Sequence, residues 1–221
     1  MITRETRTWC DNFDRAQVYS TTPGHNGWTI ADTSSSGTPT YLNGNDGAVL
    51  TLANTSEAEI VTLFQNDVLP FKLRDLQSVE IIAKVAGIDA VTTLVMGLGS
   101  AQDDTSDDVT NNAWFRMEGS ASTSALVVES DDGTNDNNDV ATGKSLASTF
   151  VKMVIDFEAG LSNVKFYIDG DRVASSTTFD LSNAASNSVQ PFVQLQKASG
   201  TGTPAVTIAK FEIVHNASYG S

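Results

Sequence analysis

Apolar residues recur at every second position through most of this chain, and no segment keeps an apolar stripe at helical spacing over three turns. A strand turns successive side chains to opposite faces, so this spacing commits the chain to half-buried strands. Residues 149–157 show the pattern: Val151, Met153, Ile155 and Phe157 alternate with Phe150, Lys152, Val154 and Asp156, giving one wholly apolar face. The same reading predicts strands at Trp28–Ala31, Ala48–Ala53, Glu59–Phe64, Ser78–Ala86, Thr92–Leu98, Ala113–Glu118, Ala125–Ser130, Phe150–Phe157, Asn163–Asp169, Val173–Ser175, Phe192–Gln196 and Val206–Val214.

Turn chemistry separates these runs. Asn45-Asp46-Gly47, Asp131-Asp132-Gly133, Glu158-Ala159-Gly160 and Asp169-Gly170 each place a glycine where the backbone must adopt positive φ. Asp169 to Asp171 reads as the turn of a hairpin that completes a meander with the preceding strand. Two polar, acidic stretches, Ala101–Asn112 and Asp131–Gly143, are expected as long loops at an edge of the sandwich or against a partner. No composition shift marks a linker and no fixed repeat is present.

The 221 residues fit one all-β sandwich domain, large enough to bury a core without a staple. Cys10 is the only cysteine, so no internal disulfide forms, and it reads as a small buried hydrophobe. Thirteen Lys and Arg against 27 Asp and Glu leave a net charge of −14. A phosphate backbone demands a basic face, so nucleic acid is excluded as a partner; an acidic surface instead favours solubility and basic partners. No apolar stretch approaches the length of a membrane span, and residues 1–7 do not open a signal peptide. Synthesis in a cytoplasm is expected, and the sequons at Asn54 and Asn216 then carry no weight.

Asp11-Asn12-Phe13-Asp14-Arg15 followed by Gly27-Trp28 resembles the opening of concanavalin A-like domains. Phe166-Tyr167-Ile168-Asp169-Gly170, after Ile155-Asp156-Phe157, resembles the penultimate hairpin of laminin G-like and related jelly rolls. Gln190 to Lys197, a glycine-rich turn and Val206 to Val214 are similar to structural proteins of tailed bacteriophages. The resemblance implies a concanavalin A-like jelly-roll β-sandwich of two antiparallel sheets over residues 11–215, with an N-terminal arm at 1–10 and a tail at 216–221. It further implies that the first strand, near Phe13, lies beside the last. Fold does not fix activity, since this architecture hosts lectins, glycanases, adhesion modules and virion parts alike.

Glycan-cleaving members of that family set carboxylates at alternate positions of one strand, as Glu-x-Asp-x-x-Glu, and that motif is missing here. Glu57, Glu59, Glu80 and Glu212 read as exposed acids on solvated faces. His25 and His215 stand at opposite ends of the chain, away from any nucleophile motif. No catalytic residue is expected. Calcium is the candidate ion where Asp103, Asp104, Asp107 and Asp108 crowd one stretch and Asp131, Asp132, Asp136 and Asp139 another, with Asp131, Asp136 and Asp139 as first ligands, although neither matches a dedicated spacing. A glycan site would need an aromatic platform, for which Trp114, Phe115 and Tyr167 are available, while Trp28 and Trp114 fit a buried position better.

These readings lead to a non-enzymatic virion structural protein of a tailed bacteriophage, a capsid decoration protein held on the major capsid protein or another virion protein, as a homo-oligomer. Ile2, Arg4, Arg7 and Trp9, apolar and basic residues on an acidic protein, are its expected partner contacts. A carbohydrate-binding adhesion module and a degenerate glycoside hydrolase are the alternatives.

Overall fold

A computed structural model describes residues 5–217. Two antiparallel sheets of eight strands face each other. The first runs β14 (Asp171–Val173), β13 (Lys165–Ile168), β12 (Val151–Asp156), β7 (Leu76–Ala86), β16 (Ala205–Asn216), β4 (Gly47–Thr51), β3 (Thr40–Gly44), with β1 (Thr6–Asp11) also on β16. The second runs β11 (Asp136–Ser145), β10 (Ala125–Asp131), β9 (Asn112–Glu118), β8 (Thr92–Gly99), β15 (Ser188–Lys197), β5 (Glu59–Phe64), β2 (Thr29–Asp32), with β6 (Phe71–Lys72) also on β15. This is the expected jelly-roll sandwich.

The alternation read from the sequence faces the core as predicted. Val151, Met153, Ile155 and Phe157 are buried, as are Val164, Phe166 and Ile168 of the meander. Phe166 meets Phe115 of the opposite sheet edge to face at 5.5 Å and Phe179 at 4.8 Å, so the two sheets interlock through aromatic edges. The opening motif works the same way. The Asp11 carboxylate accepts from the Trp28 indole at 3.0 Å, from Asn26 Nδ2 at 3.0 Å and from the Phe13 amide at 2.8 Å, fixing Trp28 fully inside the core.

β16 is paired with β7 along nearly its whole length, while its other edge is shared: β4 takes Ala205 to Ile208 and β1 takes Phe211 to Asn216. The sheet shifts register between Ile208 and Lys210, where one partner gives way to the other. Gly47 begins β4 against this bulge, and a Cβ there would lie 2.1 Å from the Ile208 carbonyl oxygen. The first strand does lie beside the last, as the resemblance implied.

Four expectations change. Residues 6–10, assigned to the arm, belong to β1, because Trp9 packs against Trp28, Phe71 and Phe211 at 5.5 to 6.2 Å. Residues 136–143, expected within a loop, form most of β11, an edge strand whose polar residues on both faces leave no apolar alternation to read. The stretch 101–111 is a loop, but it packs over the second sheet, burying Ser106 and Val109, instead of standing at its rim. Glu59 is not solvated: it lies fully buried, 3.4 Å from Lys197, and accepts from the Ala53 amide and Thr55 Oγ1. The Lys197 ammonium donates in turn to the Ala53, Thr55 and Gly202 carbonyls, so the buried pair is satisfied on both sides. β3 and β6 went unread, the first too polar and the second only two residues long.

Candidate functional site

The outer face of the second sheet carries side chains that an exposed sheet surface would not need. Trp114 of β9, Gly97 of β8 and Phe192 of β15 lie in one row across three strands. Gly97 has no side chain, so the Trp114 indole lies across β8 and stacks on Phe192 at 5.8 Å; a Cβ on Gly97 would meet the Ala113 carbonyl oxygen at 2.3 Å. Val109, from the segment 100–111, packs against this stack, and Val95 and Phe64 complete a second apolar cluster on that face. Gln194 Nε2 holds the segment through the Asp103 carbonyl at 2.8 Å.

Beside this cover a polar cleft of about 330 Å³ opens, lined by Asp107, Asn112, Arg116, Glu129, Asp131, Asp136, Asn138 and Asp139. Arg116 stands at its centre, almost wholly buried. Its guanidinium donates to Asp107 and Glu118, lies 3.0 Å from Glu129 Oε2 and 3.7 Å from Asp139 Oδ1. Burial opposes the Arg116 charge, but the hydrogen bonds to Asp107 and Glu118 and the Glu129 charge outweigh it and push its pKa up. Glu129 behaves oppositely. Its burial outweighs the neighbouring guanidinium and pushes its pKa up to about 7.

Among the described residues, three buried polar atoms on this face have no hydrogen-bond partner: Asn112 Oδ1, Trp114 Nε1 and Gln194 Oε1. The Trp114 indole N–H interacts favourably with the Glu129 carboxylate, but the pair does not reach hydrogen-bonding geometry. Buried groups left unpaired are costly, so this face carries a local strain that the packed core does not.

The sequence singled out Asp131, Asp136 and Asp139 for calcium, and the fold does bring all three to this cleft. They do not make a cage, however: among the described residues no group of three or more such side chains could hold a metal ion, and Asp139 faces the Arg116 guanidinium. Asp132, from the same acidic run, is a structural anchor that accepts from Asn135 and Asn183. Of the expected partner contacts, Ile2 and Arg4 lie outside the described residues. Arg7 is exposed and paired with Glu5 at 3.6 Å, and Trp9 is half-buried in the core rim. Trp114 and Phe115 are buried, so they offer no open platform; Tyr167 is half-exposed on the other sheet. Glu80 is bound by Lys152 and Lys210, and Glu57 by the amides and hydroxyls of residues 35–37. Sequence reasoning missed Arg116, Glu129 and Asn112. Their signal was present, as charged and amide residues at alternate positions of otherwise apolar strands, all facing away from the core.

No protein-family model matches the chain, and no curated relative does. Solved structures do. The carbohydrate recognition domain of Emp46p, in its potassium-bound form, superposes with a TM-score of 0.55 at 11% identity, over 85% of this chain and 88% of that one. A β-1,3-glucanase from Mycobacterium marinum gives 0.54 at 15% identity, over 93% and 97%. A chain from work on endo-acting O-glycanases of the human gut microbiota gives 0.62 at 9% identity, over 95% and 99%. These neighbours, lectin-like and hydrolytic alike, establish that the chain has the concanavalin A-like lectin/glucanase jelly-roll fold.

Proposed function

We propose that this protein is a non-enzymatic carbohydrate-binding module that takes a neutral glycan in the cleft around Arg116. One observation carries the reading: the cleft is lined wholly by carboxylate, amide and guanidinium groups. Vicinal hydroxyls supply donors to its exposed acceptors, the Asp136, Asn138 and Asp139 side chains. Five carboxyl groups against one guanidinium make the cleft repel anionic sugars. Glu129 has the raised pKa of a general acid, yet its Oε2 is held by Arg116 and the residue is 2% exposed, which supports binding over hydrolysis.

The guanidinium already occupies the centre of the carboxylates, so binding needs no calcium and survives EDTA. On a glycan array, neutral oligosaccharides should bind while uronic and sulfated chains do not. Asp136→Ala and Asn138→Ala remove exposed lining groups and should each weaken binding about tenfold, equivalent to ~1.4 kcal/mol. An array without a neutral hit, or affinities indifferent to both substitutions, sinks the reading. Reducing ends released from a bound polysaccharide would overturn its non-enzymatic part.

We also propose where the module works: on a virion of a tailed bacteriophage, made in the host cytoplasm, decorating the capsid as a homo-oligomer bound to the major capsid protein. The reading rests on the resemblance to phage structural proteins drawn from the sequence of Gln190–Lys197 and Val206–Val214, and on the net charge of −14. Many copies on one particle would turn a weak glycan site into firm attachment. Mass spectrometry of purified particles tests this, and absence of the chain from them refutes it.

A further inference from the structure

The connection between β8 and β9, residues 100–111, crosses the outer face of the second sheet and brings Asp107 to the cleft. Its base is narrow: the Ser100 amide donates to the Asn111 carbonyl at 2.8 Å, and the Asn111 amide to Ser100 Oγ at 3.3 Å. Between those residues the segment carries its own turns, with the Thr105 amide on Asp103 Oδ1, the Asp108 amide on the Thr105 carbonyl and the Val109 amide on the Ser106 carbonyl. Of residues 101–110 only Ser106 and Val109 are buried, so the hold on the sheet is thin. The Gln102 amide donates to Asp67 Oδ1 and Gln194 Nε2 to the Asp103 carbonyl, both at 2.8 Å, and Asn112 Nδ2 donates to the Val109 carbonyl at 3.1 Å. Val109 rests on the Trp114 and Phe192 stack, and Asp107 pairs with Arg116. That pairing reaches into the cleft, because Arg116 Nη1 donates to both Asp107 and Glu129 and both of its hydrogens are taken. Closure is also strained. Gln194 Oε1 under the segment and Trp114 Nε1 beside Val109 are shut from water with no hydrogen-bond partner, and opening hydrates them.

We propose that residues 100–111 are an autoinhibitory strap that swings as a unit on Ser100 and Asn111, with Asp107 as the latch that caps Arg116. A self-supporting segment with few buried contacts opens locally at a lower free energy than the sheet beneath it unfolds. The closed strap withholds Nη1 from an incoming hydroxyl oxygen. A ligand that uses the guanidinium therefore binds the open form, and its affinity is reduced by the fraction of molecules that are open. That consequence rests on the glycan reading of the cleft, whereas the opening of the strap does not.

Hydrogen exchange followed by NMR on the full chain tests the strap without any ligand. The Gln102 and Val109 amides and the Trp114 indole N–H should share one protection factor, at least about tenfold below that of the β9 backbone amides. Asp107→Ala, at the latch, and Val109→Ala, outside the cleft, should each lower that shared protection about fivefold while β9, which reports global stability, stays unchanged. On an array of neutral oligosaccharides both variants should then bind about fivefold more tightly than the wild type. Val109 does not line the cleft, so only a moving strap carries its effect to Arg116. Indole exchange as slow as that of the β9 amides, or protection unmoved by both substitutions, would overturn the strap whether or not any glycan binds. Glycans that bind the wild type but bind both variants equally or more weakly would overturn the autoinhibition. A blank array for all three proteins, with the exchange pattern as expected, refutes the glycan reading and leaves the strap standing.

Discussion

Glu129 shows how one residue links the cleft to the stability of the whole fold. Its folded pKa of about 7 stands above the ordinary carboxylate value near 4.3, so between those values the folded state holds more protons than the unfolded one. Stability contributed here is therefore fully present below about pH 4.3 and is lost as pH rises through 7. Other acids, among them Glu80 and Asp132 with lowered pKa values, shift the total the other way as pH falls. The difference between the wild type and Glu129→Gln isolates the effect. Denaturant titrations from pH 8 to 4.5 should show the wild type gaining on the variant by roughly 3 kcal/mol; a constant gap would mean that Glu129 is ionised throughout. At Phe166 the expectation is simpler. Truncation to Ala removes a ring packed on Phe115 and Phe179 and should cost about 3 to 5 kcal/mol, read as a lowered melting temperature. Phe166 could be read from alternation alone, because burial follows from parity. Glu59 could not: its parity also pointed inward, but only the partner Lys197, 138 positions away in the chain, makes a buried carboxylate tolerable.

Among the elements, the central strands were legible because each has one apolar face, and β11 was not, because an edge strand has little to bury. Its residues alternate between half-buried and exposed, and its register against β10 is interrupted twice. Amide hydrogen exchange should accordingly be faster in β11 than in β9, whose two neighbours β8 and β10 both pair with it. The same contrast explains what could be read of the cleft. Asp131, Asp136 and Asp139 announced themselves as an acidic run, whereas Arg116 and Glu129 hid in strands that read as core. Gly97 is the element-level hinge of that face. Gly97→Ala forces a methyl group into the β9 backbone and should cost about 1 to 3 kcal/mol, while disturbing the fluorescence of Trp114. An unchanged spectrum and stability would show that Trp114 does not lie across β8.

At the scale of the molecule, both sheets share one continuous core that runs from Phe13 and Trp28 at one end to Phe166 and Leu181, with Glu59 and Lys197 sealed in beside it. The buried residues of one sheet have no shelter without the other, so calorimetry should give a single unfolding transition. Chain order, by contrast, matters less to this architecture than it first suggests. Thr6 pairs with Asn216, Arg7 with His215, and the Ala217 amide donates to the Glu5 carbonyl at 2.7 Å. Paired residues of antiparallel strands stand only about 5 Å apart. The sheet therefore treats residues 5 and 217 as neighbours, so the order in which the strands follow one another could be rotated without changing how they pair. A circular permutant of residues 5–217, joined by a short glycine linker and opened at the exposed Gly160, should keep the same sandwich and the Arg116 cleft.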